Sequence, residues 1–411
     1  MTNSDTRFTG PAIHPAGTAG EVFRTALKLG LTSFGGPIAH LGYFERTYVR
    51  DLGWLNSARF SGLISLCQLL PGPTSSQVGF LIGLHRAGWL GALAAWVGFT
   101  LPSALAMYAF AVWTPSDPGP RMHAVLHGLM LTAVVVVAQA VWSMGRTLCP
   151  DWRRALIAIG SCVLLLFQRS GTAQLVALMG GGIAGGLLCR SLPLGSLDVP
   201  DQPKRNAAWL ALTVFVALLV GLPAVAVLDP KGPSALVNLF YRSGAFVFGG
   251  GHVVLPLLQQ SLVPEGWISQ DRFLEGYGFA QAIPGPLFTF AAYLGAVTAP
   301  THASLLWSLL ALIAIFVPGL LLAITGSSLF GKLTGVGSAS GILAGINAAV
   351  VGLLAAALYN PVWTGAVRSA IDVPIVLITF FLLQRHKIPP VLIAGLCIVI
   401  SLGLLSLHFA M

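Results

Sequence analysis

Gln68-Leu-Leu-Pro71-Gly72-Pro73 recurs 213 residues later as Gln281-Ala-Ile-Pro284-Gly285-Pro286. The correspondence extends outward from these two stretches. Upstream, Lys28-Leu-Gly-Leu-Thr-Ser-Phe34-Gly35-Gly36-Pro37 pairs with Arg242-Ser-Gly-Ala-Phe-Val-Phe248-Gly249-Gly250-Gly251 at an offset of 214, and Gly53-Trp54-Leu55 pairs with Gly266-Trp267-Ile268. Arg59-Phe60 matches Arg272-Phe273, Pro102 matches Pro318, and Phe167-Gln168-Arg169 matches Leu383-Gln384-Arg385. Agreement at this many spaced positions identifies a duplicated unit, the first thing to establish before any element is assigned.

The unit is hydrophobic. Of 411 residues, 55% are hydrophobic and 9% charged, where soluble domains carry about 25% charge. Uncharged runs at 87–113, 122–145, 206–228 and between Glu275 and Lys332 match or exceed the roughly 20 apolar residues that cross a bilayer as a helix. Backbone in lipid must satisfy its own hydrogen bonds, so these runs are helices. The fold class expected is an all-α polytopic membrane protein of two homologous repeats, each of about six hydrophobic segments, joined by one linker transmembrane helix at 206–228, about 13 segments in all. The domain division is a loose tail at 1–20, repeats at 21–191 and 231–411, and a linker at 192–230.

In the first repeat the segments fall near 21–50, 57–85, 88–113, 121–146, 153–168 and 171–190. The first two are open to reading as hairpins rather than crossings. A linker that crosses once between units of even crossing number inverts the second repeat. The loop 45–59 is net positive and its counterpart 260–275 net negative, as opposite sidedness would require. With the N-terminus cytoplasmic, Arg86, Arg146/Arg153/Arg154, Arg190/Lys204/Arg205, Lys332 and Arg385/Lys387 all fall inside. The net charge of +9 is thus a topology signal at span ends, and nucleic-acid binding is excluded. The first twenty residues lack the basic and apolar regions of a cleaved signal. The five cysteines form no C-x-x-C pair and read as small buried hydrophobes, so no metal site is expected.

Two motifs per repeat interrupt the helical pattern. Pro-Gly-Pro removes two amide donors, and paired glycines admit conformations that other residues avoid. One such motif alone reads most simply as a kink. Duplicated in both halves, the Gly/Pro interruptions point to a transporter's substrate site, because unwound backbone at membrane depth must be buried in protein or line a wet cavity. The helix restarting after each break offers free N–H groups and a positive dipole end, which favour an anion. Thr74, Ser75, Ser76 and Gln77 follow Pro73 as hydrogen-bonding side chains, and Thr289 follows Pro286.

The substrate-binding candidates are therefore Gly35, Gly36, Pro71, Gly72, Pro73, Thr74, Ser75, Ser76 and Gln77 in the first repeat, with Gly249, Gly250, Gly251, Pro284, Gly285, Pro286 and Thr289 in the second. Lys28 and Arg242, six residues before each Phe-Gly-Gly, add positive charge; the alternative for both is snorkelling to a head group. His40 and His252 are donors or proton carriers, or satisfied structural histidines. Gln68 and Gln281 either bridge helices or touch substrate. Glu45 and His127 are the candidates for coupling. All thirteen acidic residues are expected in the tail, at span ends or in loops, which disfavours a cation path.

Phe34-Gly35-Gly36-Pro37-Ile-Ala-His40, Gly53-Trp54-Leu55 and Gln68-Leu-Leu-Pro71-Gly72-Pro73, with their second-half counterparts, resemble the chromate ion transporter family in its long, two-domain form, over residues 20–411. The resemblance implies a bacterial inner-membrane protein that exports chromate and confers resistance, without a cofactor, with sulfate as the structural analogue and a homodimer left open. The second half has Gly251 where the first has Pro37, and Val254 where it has His40, so the two halves are not expected to make equivalent contacts. Moving a dianion out across an inside-negative membrane releases about 4.6 kcal/mol per 100 mV, which sustains roughly three decades of gradient. No Walker phosphate loop is present in the sequence, in keeping with transport that needs no ATP. Oxyanion uptake is the alternative within transport. A membrane enzyme is the alternative outside it, but it needs a nucleophile–base pair or a ligand cluster that the sequence does not display.

Overall fold

The computed structural model describes residues 17–115, 119–168, 171–189, 205–248, 251–300, 302–329, 337–386 and 388–410, and every regular element among them is helical. Helix α1 (Ala19–Thr32) begins where Thr18 Oγ1 accepts the Glu21 amide at 3.2 Å, satisfying one of the donors that a helix start leaves free. It stops at the extended Ser33. Gly35 and Gly36 then adopt φ of +96° and +78°, left-handed values that a residue with a β-carbon resists. The chain restarts as α2 (Gly36–Phe44) and runs into a π-helical turn, Glu45–Asp51.

Helix α3 (Ser57–Leu69), capped by Asn56, ends at the extended Leu70, and after Pro71-Gly72-Pro73 the chain restarts as α4 (Thr74–Trp113). α4 is a hairpin. Ala87 and Gly88 are non-helical, and its limbs, 74–86 and 89–113, approach so closely that a β-carbon on Gly83 would lie 2.4 Å from the Gly91 carbonyl oxygen. α5 (Pro120–Leu148), α6 (Trp152–Phe167) and α7 (Gly171–Leu188) complete the first repeat, and α8 (Arg205–Ala226) is the linker.

The second repeat retraces this order. α9 (Pro233–Ala245) stands for α1, a 3-10 turn (Gly251–Val253) with α10 (Val254–Leu262) for α2, and α11 (Gln270–Ala282) for α3. After the second Pro-Gly-Pro, a 3-10 turn (Leu287–Thr289), α12 (Phe290–Thr298) and α13 (Ser304–Leu329) replace the two limbs of α4. α14 (Gly337–Ala357), a π turn (Leu358–Trp363) with the short α15 (Thr364–Ala366), α16 (Asp372–His386) and α17 (Pro390–Ala410) follow.

Among the described residues, five helical stretches are long and apolar enough to cross a membrane: α4, α5, α8, α13 and the stretch that begins in α14. The chain is a multi-pass membrane protein. The segments expected at 21–50 and 57–85 are each divided at their breaks, into pieces such as α1 and α3 of 14 and 13 residues. At 1.5 Å per residue such a piece covers only about 20 Å of a hydrocarbon core of roughly 30 Å.

Packing relates the repeats reciprocally. α5 lies on α16 and α17 of the second repeat, and α14, its equivalent, lies on α6 and α7 of the first. Within each repeat, α1 packs on α4 and α9 on α13 through matched glycines. A β-carbon on Gly30 would meet the Phe99 carbonyl oxygen at 2.6 Å, and one on Gly244 would meet that of Ile315 at 2.1 Å. Small residues that admit close backbone approach are how helices associate in lipid, where apolar burial alone gives no preference for a neighbouring helix. α8 sits at the periphery, with only 11% of its apolar window buried. Exposed Leu210, Val220, Trp89, Leu90 and Leu93 complete an apolar outer surface, as lipid contact requires.

Candidate substrate site at the paired helix breaks

The two breaks meet. The Gly72 amide donates to the Val247 carbonyl at 2.7 Å, and the Gly285 amide donates to the Ser33 carbonyl at 3.0 Å. Gly72 and Gly285 are equivalent, as are Ser33 and Val247, so each Pro-Gly-Pro loop reaches into the other repeat and bonds the end of its first helix. Such mutual exchange of one contact is what a two-fold relation produces. Both glycines have positive φ, +123° and +106°. A β-carbon on Gly72 would lie 2.8 Å from Gly319 Cα, and one on Gly285 would lie 2.6 Å from Ser103 Oγ.

The polar residues after the first break are fully packed. Thr74, Ser75, Ser76 and Gln77 are buried. Gln77 Nε2 donates to the Pro71 and Gly319 carbonyls, both at 2.9 Å, and so ties the break to the second repeat. His40 is buried, with Nδ1 3.3 Å from Ser75 Oγ and its ring edge-on to Phe99. In the second repeat Thr289 bonds its own turn, Oγ1 to the Pro286 carbonyl at 2.8 Å. Several buried polar atoms around the breaks have no partner: Ser33 Oγ, Ser76 Oγ, Gln77 Oε1 and Gln281 Nε2. A buried polar group without a partner costs roughly 1–3 kcal/mol, so four together mark a place where the fold holds hydrogen-bonding capacity in reserve.

The equivalent positions have diverged. Gln68 is exposed whereas Gln281 is half-buried, and Lys28 is exposed on α1. Arg242, also exposed, lines a cleft of about 520 Å³ between α7, α9 and α10. Pro230, Glu265 and Trp267 form its mouth, where Lys231 stands 4.6 Å from the Trp267 ring. Asn238 and Arg242 project from one face of α9, with Gln174 and Gln260 opposite. Arg242 lies nine residues, about 14 Å of helix, from the start of α9. Phe246, which also lines the cleft, precedes the Val247 carbonyl that Gly72 bonds, so the cleft adjoins the second break. Asn238 Oδ1 and Gln260 Oε1 are buried without partners. A half-turn of either amide presents NH₂ to the cleft instead.

Arg242 was legible in the sequence as a cation beside a break. Asn238 was signalled by its place one turn before Arg242, whereas Gln174 and Gln260 join the cleft only through tertiary packing. Gly251 is buried in its 3-10 turn. Gly249, Gly250 and the His252 side chain lie outside the described residues. Of the coupling candidates, Glu45 is held in a surface ion pair with Arg50 at 2.8 Å. His127 Nε2 lies 3.0 Å from Asp372 Oδ1. Asp372 lies at the start of α16, as expected of a carboxylate at a helix end, though it is buried; Glu275 departs from the expectation that carboxylates keep to the tail, span ends and loops, being buried within α11.

A profile of the chromate transporter family matches residues 20–187 and again 234–402. The chain is similar to the probable chromate transport protein of Synechococcus elongatus, 28% identical over 353 residues, 84% of this chain and 85% of that one. It is likewise similar to the chromate transport protein of Pseudomonas aeruginosa, 28% over 299 residues, 71% and 70% of the two chains. The chromate transport protein of Cupriavidus metallidurans aligns at 26% over 397 residues, 94% and 93% of the two chains. No solved structure matches the chain. Two interlocked copies of one broken-helix unit, each matched by the same profile, make this chain a member of the chromate transporter family.

Proposed function

We propose that the protein exports chromate from the bacterial cytoplasm and holds the dianion where the two breaks cross. The observation that carries this reading is the reciprocal pair of Gly72–Val247 and Gly285–Ser33 bonds, beside the buried Ser33 and Ser76 hydroxyls that have no partner. Hydroxyl and amide donors at an unwound crossing suit the four oxygens of a tetrahedral oxyanion. Free amides at the start of α4 add the partial positive charge of a helix N-terminus. Arg242 in the cleft supplies the full charge that draws the anion inward.

Energy comes from the membrane potential. Efflux of a dianion gains about 4.6 kcal/mol per 100 mV, so each decade of gradient needs only about 30 mV. The repeats take opposite orientations across the membrane, with the N-terminus cytoplasmic and α8 as the crossing that inverts the second. Rocking of one repeat against the other around the crossing exposes the site alternately.

The test is chromate efflux from proteoliposomes at clamped potentials. With equal pH on both sides, efflux should rise with inside-negative voltage, and the steady gradient should shift at least tenfold per roughly 30 mV, more steeply if protons are coupled. A gradient indifferent to voltage contradicts the proposal.

A further inference from the structure

Apart from the breaks, one group of titratable side chains sits where α5, α11 and the turn before α16 meet. Glu275, in the second turn of α11, is 8% exposed, and its Oε2 is buried with no hydrogen-bond partner. The charges around it are Arg272 and Asp271 on its own helix, His123 from α5 and Arg368 from the turn before α16. Tyr293 of α12 closes the far side, its hydroxyl donating to the Arg272 carbonyl at 2.9 Å. One turn along α5 from His123, His127 Nε2 lies 3.0 Å from Asp372 Oδ1, while the other Asp372 oxygen accepts the Arg368 and Ser369 amides at 2.9 Å each. Arg368 returns to Asp271 at 2.8 Å.

The two buried carboxylates are differently provided for. Asp372 has a partner for each oxygen, which holds its charge in place. Glu275 leaves one oxygen bare, and a buried carboxylate in that state is relieved by taking a proton. His123 is exposed, on the α5 helix that packs against α11, and an imidazole carries one nitrogen that accepts and one that donates, so it can pass a proton between water and Glu275. α11 then runs from Glu275 to Pro284-Gly285-Pro286, whose Gly285 amide bonds Ser33 in the other repeat. A change of charge on Glu275 therefore acts at the base of the helix that carries one of the two crossing loops.

We propose that Glu275 is a proton-binding site of the transport cycle, loaded through His123 and held against α5 by the frame of His127, Asp372, Arg368 and Asp271. The proton adds to the carboxylate from the acidic side and leaves on the other, and no other bond changes. This rests on the reading of the protein as a chromate exporter, so the experiment separates the two.

Purified full-length protein in liposomes loaded with chromate, with potential clamped at zero by a potassium ionophore, is given a pH step, acid outside. Wild type should shift its steady chromate ratio about tenfold per pH unit for each coupled proton, and an entrapped pH dye should report proton entry. Glu275→Gln should still pass chromate in response to voltage, with its pH-driven shift below about twofold. His123→Ala, at an exposed position, should slow pH-driven efflux about tenfold while leaving the final ratio unchanged. A wild-type ratio blind to pH, a Glu275→Gln ratio that still shifts tenfold, or an unchanged rate in His123→Ala overturns the proposal. Wild type that moves no chromate under any gradient overturns the transport reading itself, and this inference with it.

Discussion

Arg242 and Lys28 occupy equivalent positions in the two repeats yet stand in different surroundings. Both side chains are exposed, and Arg242 also lines the cleft between α7, α9 and α10. An exposed cation in a cleft acts by attracting the anion over a distance, so Arg242→Ala should weaken chromate binding by about tenfold at low salt. Lys28→Ala should change it less than about threefold, and binding titrations on the two purified variants check both. The sequence marked the pair as equivalent because offset is all that a repeat reveals. What separates them is that Arg242 lines a cleft shared by residues of α7, α9 and α10. Gln77 makes the same point differently. It was expected as a substrate ligand, and its Nε2 is engaged by two carbonyls from different repeats. Gln77→Ala should lower stability by about 1–3 kcal/mol, read as a drop in detergent melting temperature, and Gln77→Glu should not restore it because a carboxylate cannot donate.

At the scale of elements, the breaks were the most legible feature of the chain. Glycine and proline carry their conformational consequence with them, so α1, α3, α9 and α11 end where the motifs require. Their crossing was not legible, because the Gly72–Val247 and Gly285–Ser33 bonds join residues more than a hundred positions apart through backbone atoms that every residue possesses. Substituting alanine at Gly72 or Gly285 brings a β-carbon into both an unfavourable φ and a close contact. Each change should cost about 1–3 kcal/mol and reduce efflux in parallel. Unequal losses, with one variant unaffected, would show that the two crossings do not act as a pair. Thermal melting and flux on the same preparations decide this.

On the scale of the whole molecule, hydrophobicity established a multi-pass helical protein, and the offset established two copies. The way α5 and α14 each pack on the far repeat lay beyond both signals, since periodicity reports which face is apolar and not which neighbour covers it. That exchange makes the repeats one cooperative body. Gly185→Leu and Gly345→Leu, at the crossing of α7 with α14, should each lose about 1–3 kcal/mol by overpacking and destabilise both repeats together. A single unfolding transition, followed by proteolysis of sites in either repeat, is the expected result. The buried Glu275 was misjudged for a similar reason: its position in sequence looked peripheral, and the packing of α5 against α11 encloses it.

The most direct test of the central claim is a cryo-electron microscopy map of the protein at saturating chromate. The account predicts density for one tetrahedral anion between the two Pro-Gly-Pro loops, within hydrogen-bonding reach of Ser33, Ser76 and Gln281. An anion bound elsewhere, with the crossing unchanged and its polar atoms still without partners, would contradict it.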